Sequence, residues 1–262
     1  MIFMPHEQIL KLPREFAQKG YHILPQTPDL LAYAQAAHKA GLGVLAQDQT
    51  PWRCGGTWFV GVDALPNGPF GQLEGIDFPF YSCGLALQRL HLGQLSVVKP
   101  GYPRTSEQET AAAFAYRRDF DGAHIDGILP IGMQRRRMIK EPHEFILGIA
   151  LNDCAPDASP LVVWEGSHLI MAQALTECLA PFAPQHWPDC DITKAYQEAR
   201  RTVFATCRRV PLPLKMGEAS FLHRLTLHGV APWTAMPHPP REGRMIAYFR
   251  PELPDIASWI LT

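Results

Sequence analysis

Apolar positions fall into two textures along the chain. Over the first ~45 residues they recur at helical spacing. Ile9, Leu12 and Phe16 share one face within residues 6–19, and Gly20 supplies a stop. Thr27-Pro28-Asp29 marks a second start, with a capping hydroxyl, proline at the first helical position and an acid in the first turn. That helix runs through Leu30, Leu31, Ala34 and His38 to Gly41. After residue 90 the apolar runs become short and β-prone: Leu95 to Val98, Phe145 to Leu151, Leu161 to Trp164, Ala219 to Leu222, and Met245 to Phe249. Gly, Pro and Asn/Asp punctuate them, and the 25 prolines disfavour long uninterrupted elements. Segments 168–180 and 191–206 interrupt this texture with helical patterns, Asp191 and Thr193 standing near the start of the second.

Helices first, then strands with a helical insertion, predict an α+β fold with a mostly β core. One domain spans 1–262, with a mainly helical part at 1–90 and a β core at 91–262 that carries the insertion at about 168–206. Several short strands with turn signals fit a double-sheet jelly roll. No glycine-rich phosphate loop occurs, so a nucleotide-binding fold has little support.

Composition removes several function classes. With 47% apolar residues the chain can build a sizeable core, and a formal charge of −1 without charged blocks gives no reason to expect nucleic acid or an anionic membrane as partner. Arg135-Arg136-Arg137 and Arg208-Arg209 read as solvated runs. Cys54, Cys83, Cys154, Cys178, Cys190 and Cys207 are dispersed and form no CxxC pair, so they read as reduced thiols rather than a zinc ribbon or redox motif. The opening Met1-Ile2-Phe3-Met4 is too short an apolar run for a signal peptide, and nothing approaches ~20 continuous apolar residues. The expected location is the cytoplasm.

Candidate chemistry begins at Gly122-Ala123-His124-Ile125-Asp126-Gly127. On an extended strand, residues two apart face the same way, so the His124 imidazole and Asp126 carboxylate can converge. A third ligand must come from elsewhere. His223 and His228 lie in an apolar stretch, and on one continuous strand they would face opposite sides. His228 is the chosen ligand, with Gly229 beside it leaving room for close approach, and His223 reads as a core or supporting histidine. Two imidazoles and one carboxylate on one side of a metal form the facial triad of non-haem Fe(II) oxygenases. Its open positions suit a bidentate 2-oxo acid and O₂. The far carboxylate of 2-oxoglutarate needs a cation, best an Arg fork. Arg244 opens an apolar β-like run and is the favoured anchor, whereas Arg241 sits in a Pro-rich loop.

The order HxD, distant His, then Arg resembles the 2-oxoglutarate/Fe(II) dioxygenases, and most closely the phytanoyl-CoA dioxygenase-like family. Ala123–Asp126, Ser159–His168 and Phe221–Arg244 with the following Met-Ile-Ala-Tyr-Phe carry the resemblance, spanning about half the chain. It implies a double-stranded β-helix, cupin-like, with the N-terminal and inserted helices packed on one sheet. It also implies hydroxylation of a small molecule with conversion of 2-oxoglutarate to succinate. The sequence departs from the family at Val230, where a serine often binds the co-substrate, and at Glu165, where the signature has proline. Thr226 is a candidate replacement donor. Some relatives that lack the carboxylate halogenate instead; Asp126 favours hydroxylation.

Lys99, Tyr102 and Arg104 leave a strand just before HxD and are candidates to meet a substrate, with Trp164 as a further candidate for the substrate wall. The aromatic Trp52–Phe59 stretch reads equally as lid or packed loop, and His168 as a turn-fixing residue. Two other functions stay open: a cupin-like metal enzyme that does not use 2-oxoglutarate, and a non-catalytic β-sandwich binding protein. Neither the substrate nor the oligomeric state is legible.

Overall fold

The computed structural model describes residues 12–107, 109–235 and 240–261. In chain order the first elements are α1 (Phe16–Lys19), β1 (Tyr21–Leu24), α2 (Pro28–Gln47), α3 (Arg53–Gly56), β2 (Trp58–Gly61), β3 (Gln94–Val98) and α4 (Ala111–Asp119). There follow β4 (Ile128–Ile131), β5 (Arg136–Ile139), β6 (Phe145–Ala150), β7 (Leu161–Trp164), α5 (Ser167–Leu179), α6 (Thr193–Thr206), β8 (Arg209–Leu212), β9 (Ala219–His223), β10 (His228–Val230), β11 (Arg244–Phe249) and α7 (Ile256–Leu261).

The strands form a six-stranded antiparallel sheet, β1-β9-β6-β11-β3-β2, a three-stranded sheet, β10-β7-β8, and the β4-β5 hairpin. Alternation along the large sheet divides its side chains between two faces. Leu95, Val97, Leu147, Ile149, Phe221, Met245, Ala247 and Phe249 face outward and pack under α2. Ile146 and Leu222 face the other way and meet Leu161, Val163 and Leu212 of the small sheet. The two sheets therefore close on each other as a jelly-roll sandwich, with the core in layers on either side of the large sheet.

Local chemistry explains the long helix. The Thr27 hydroxyl accepts from the Leu30 N–H at 3.3 Å and Pro28 fills the first helical position. α2 runs past the expected stop at Gly41, which is buried against the sheet instead of ending the helix. Of the helix expected over 6–19, residues up to 11 lie outside the described ones, and the described part holds only the single turn α1. It ends at Gly20 with φ 77°, where an added Cβ would collide with His168 and Thr226.

The first 90 residues are less helical than their pattern predicts. They supply the two edge strands of the large sheet, and no helix or strand forms between β2 and β3. β1 and β2 have four residues each, too short for alternation to stand out from the flanking sequence. The helices also divide differently. α2 covers the large sheet, whereas α5, α6 and α7 pack on Val162 and Trp164 of the small sheet. Helices thus cover both sheets rather than one, because each sheet has an apolar outer face to bury. Among the described residues, no helix is long and apolar enough to cross a membrane.

Candidate metal centre

HxD lies as an extended segment against β10. His124 and His228 exchange backbone hydrogen bonds, N to O 2.8 Å in one direction and 3.1 Å in the other. Ala123 and Ile125 point into the helical layer. His124 and Asp126 consequently share the opposite face, toward the space between the sheets. Gly229 permits the approach: a Cβ there would stand 2.4 Å from the Asp121 carbonyl, which accepts the Val230 N–H at 2.9 Å. The room at Gly229 is thus taken by the chain itself. Arg209 then grips the buried Asp121 carboxylate with two bonds of 2.7 and 2.8 Å.

His124, Asp126 and His228 each present a ligand atom, all within 4.8 Å of one another. His124 Nε2 stands 3.2 Å and His228 Nε2 3.7 Å from Asp126 Oδ1. Each imidazole commits its Nδ1–H to a backbone carbonyl two residues back: Gly122 at 3.0 Å and Thr226 at 2.9 Å. That fixes the tautomer and turns a lone pair at Nε2 toward the carboxylate. Lone pairs facing a carboxylate oxygen require a cation between them, either a second proton or a metal. Burial alone would lower the His124 pKa, but the Asp126 hydrogen bond and charge outweigh it and raise it above the usual imidazole value. Burial likewise opposes ionisation of Asp126, yet hydrogen bonds from both imidazoles, donated in their Nε2-protonated form, hold its pKa well below the carboxylate range.

A cation on the outer side completes the Asp126 environment. Arg250 Nη1 donates to Oδ2 at 3.0 Å and its Nη2 to Gln94 Oε1 at 2.7 Å. Only Oδ1 is left facing the imidazoles. A cavity of about 400 Å³ opens from the triad between the sheets, walled by Trp58, Val60, Ser96, Ile146, Leu161 and Tyr248.

Arg244 begins β11 on the inner face of the large sheet, opposite Val98 and in line with Ile246 and Tyr248. It is 8% exposed, and its Nε and Nη2 have no hydrogen-bond partner. Its guanidinium lies beside the Tyr248 hydroxyl, whose pKa burial pushes up against the pull of Arg244. Arg241 is exposed.

Other candidates fall elsewhere. Trp164 packs against the inserted helices, because its neighbour Val163 is the residue that faces inward opposite His228. Lys99 lies over the Trp52 ring, 4.0 Å from its centre. Tyr102 is 3% exposed and packs edge-on to Trp58. Arg104 folds back along Gly101. None of these four lines the triad cavity. Thr226 donates to the Gly20 carbonyl at 2.7 Å, so it is not the replacement donor. Glu165 accepts from Tyr21 and Arg208 on the outer surface. Ser167 accepts the Leu227 N–H at 2.9 Å and thereby braces the residue before His228.

His223 and His228 do not share a strand. A turn between β9 and β10 sends them to different sheets, and His223 enters the core beside His168. Arg53 and Trp58, of the stretch that read equally as lid or packed loop, line the cavity, and so do Gln94, Ser96, Tyr248 and Arg250, to which the sequence reading gave no site role. Arg250 was within reach of it, since alternation along β11 carries Arg244, Ile246 and Tyr248 on to position 250.

No protein-family model matches the sequence, and no curated protein matches it. Solved structures give distant likenesses. The non-heme alpha-ketoglutarate-dependent carbocyclase SnoK from nogalamycin biosynthesis is 17% identical, with 93% of this chain and 85% of that one covered and a TM-score of 0.49. The epimerase SnoN, in complex with Fe³⁺, alpha-ketoglutarate and nogalamycin RO, is 17% identical over 90% and 80%, at 0.47. EctD from S. alaskensis with bound Fe is 16% identical over 90% and 73%, at 0.41. At these values the likeness bears on no residue of this chain, whose chemistry is read from its own side chains.

Proposed function

We propose that this chain is a non-haem Fe(II)- and 2-oxoglutarate-dependent oxygenase acting on a small molecule. The observation that carries the reading is the donor set itself. Two Nε2 lone pairs and one carboxylate oxygen converge at a cavity, and a buried guanidinium with unmet donors, that of Arg244, lies beside the hydroxyl of Tyr248 in the cavity wall. His124, Asp126 and His228 would hold the metal. Arg244 would take the far carboxylate of 2-oxoglutarate, whose negative charge answers an otherwise costly orphaned cation. Bound there, Fe(II) with 2-oxoglutarate and O₂ supplies an oxidation of a substrate C–H bond, coupled to release of succinate and CO₂.

The chain's own residues do the rest. The Gly122 and Thr226 carbonyls keep both imidazoles oriented, and Arg250 keeps Oδ2 of Asp126 turned away. Trp58, Val60, Ile146 and Leu161 exclude water from the reacting carbon and supply its apolar wall. Val230 replaces the family serine, so Tyr248 and Ser96 are the hydroxyls offered at the cavity wall.

The test is an anaerobic titration. The Fe(II) protein should develop a weak visible charge-transfer band on adding 2-oxoglutarate. Stoichiometric metal binding without that band would favour the cupin-like alternative. Failure to bind Fe(II) or Mn(II), with no metal-dependent rise in Tm, would leave a β-sandwich binding protein.

A further inference from the structure

Four charged side chains line the triad cavity: Arg53, Asp126, Glu141 and Arg250. Three have partners. Asp126 and Arg250 pair with each other at 3.0 Å, and Glu141 stands 3.3 Å from His143. Arg53 makes no ion pair with any described residue. Its backbone is firmly placed. Its carbonyl accepts the Thr57 N–H at 3.1 Å, it bridges to Trp58, and the left-handed Cys54 and Gly55 that follow turn the chain back.

Register sets the backbone separation between Arg53 and the level of the triad. Arg53 adjoins Trp58 at one end of β2. Val60 pairs with Ser96, which brings Val62 level with Gln94, the residue that holds Arg250 on Asp126. Four residues of extended chain separate the two levels, roughly 13 Å at about 3.3 Å each. Trp58, Val60 and Val62 form a mostly apolar wall between them.

We infer that the primary substrate is an amphipathic organic anion, its acid group bound by Arg53 and its apolar body laid along Trp58 and Val60 toward the triad. This rests on the oxygenase reading for the chemistry at the far end, though the recognition itself needs only the chain. Charge supports it. Within the lining, Asp126 has Arg250 and Glu141 has His143, so Arg53 is the lining charge left for a ligand to meet. Arg53 is exposed at the outer end of the cavity, where an acid group can reach it from solvent, and a guanidinium fork suits a carboxylate.

The experiment titrates octanoate, octanol and octylammonium into the protein, both metal-free and saturated with Mn(II) and 2-oxoglutarate, by calorimetry. Octanoate should bind at least about tenfold more tightly than octanol, and octylammonium should bind weakest. Arg53→Gln should abolish that preference without loss of the thermal transition, and Arg53→Lys should restore part of it. Equal binding of the three probes, an unchanged preference in Arg53→Gln, or no binding by any probe overturns the proposal. So does octanoate that merely displaces 2-oxoglutarate, since it would then occupy the Arg244 end. If Mn(II) and 2-oxoglutarate fail to bind, the oxygenase reading falls, and the metal-free titration still decides the role of Arg53.

Discussion

Among the described residues, two histidine pairs have nearly the same ring geometry. His124 and His228 have ring centres 4.7 Å apart at 52°, and His168 and His223 have theirs 4.8 Å apart at 47°. Their surroundings differ in every respect that matters for chemistry. At the first pair both Nδ1–H groups are spent on backbone carbonyls, and both Nε2 atoms meet an ionised carboxylate at an open cavity. At the second, His168 uses Nε2 to hold the Ala17 carbonyl at 3.1 Å, and His223 uses Nδ1 to accept the Leu225 N–H at 3.1 Å. No acid among the described residues is seen to act on the second pair, and burial lowers both its pKa values, that of His223 to about 3. Of the two pairs, the first has a third, anionic donor and free Nε2 lone pairs to offer a metal, and the second spends His168 Nε2 and His223 Nδ1 on the backbone.

The largest expected effect follows from that third donor. Asp126→Ala should lower Fe(II) or Mn(II) affinity by on the order of 100-fold or more and abolish substrate-coupled succinate formation. His223→Ala should leave metal stoichiometry intact. Equilibrium dialysis of both variants checks this, and near-normal coupled turnover by Asp126→Ala would break the contrast at its root.

How much of this was visible in the sequence follows from what each signal requires. HxD and its facing were legible because a spacing of two settles parity on any extended segment. The runs at Leu161 to Trp164 and Phe145 to Leu151 were legible because continuous burial leaves continuous apolar sequence. Trp164 was misplaced because its facing depends on the register with β10, which is a tertiary fact. His228 was chosen by assuming one continuous strand from His223. The chain instead turns after His223 and sends the two histidines to different sheets, so the strand argument does not apply to them. Arg250 escaped notice because its role depends on Asp126, 124 positions earlier in the chain. The α4 helix and the β4-β5 hairpin escaped for a simpler reason: α4 buries none of its residues, and β4 and β5 bury one each, so little apolar periodicity marks them.

Stability should separate the pairs in the opposite sense from metal binding. His223→Ala opens a cavity in the core and strands the Leu225 N–H, at a cost of about 2–3 kcal/mol. His124→Ala removes a ring whose side chain is 46% exposed and should cost about 1 kcal/mol or less. Chemical denaturation of the metal-free variants measures both. A reversed order would mean that the open pair, not the buried one, holds the fold.

Acidification sharpens the same distinction. Native His223 takes up a proton only near pH 3, whereas the unfolded chain takes one up near 6.5. Between those values the unfolded state binds more protons, so stability falls as pH is lowered through the window. The slope from this one group is at most about 1.4 kcal/mol per pH unit. His223→Phe, which can pack on Phe16 and Phe221, should flatten the metal-free stability profile over that range. An unchanged profile would assign the acid sensitivity to other groups.

The smallest effect concerns the cations, which repeat the contrast of the histidines. Arg250 has its carboxylate in Asp126, and Arg244 has none. If Arg244 awaits the far carboxylate of 2-oxoglutarate, Arg244→Gln should raise the 2-oxoglutarate concentration needed for half-saturation by about tenfold. That is the lower end of what a charged hydrogen bond contributes, because glutamine keeps a donor. Metal affinity should not change, since Arg244 does not line the triad cavity. A tighter metal site in the variant would show that the orphaned charge acts on the triad directly. A requirement that rises instead in Arg241→Gln would move the anchor to the exposed loop and leave Arg244 as a buried cation balanced only by the Tyr248 hydroxyl.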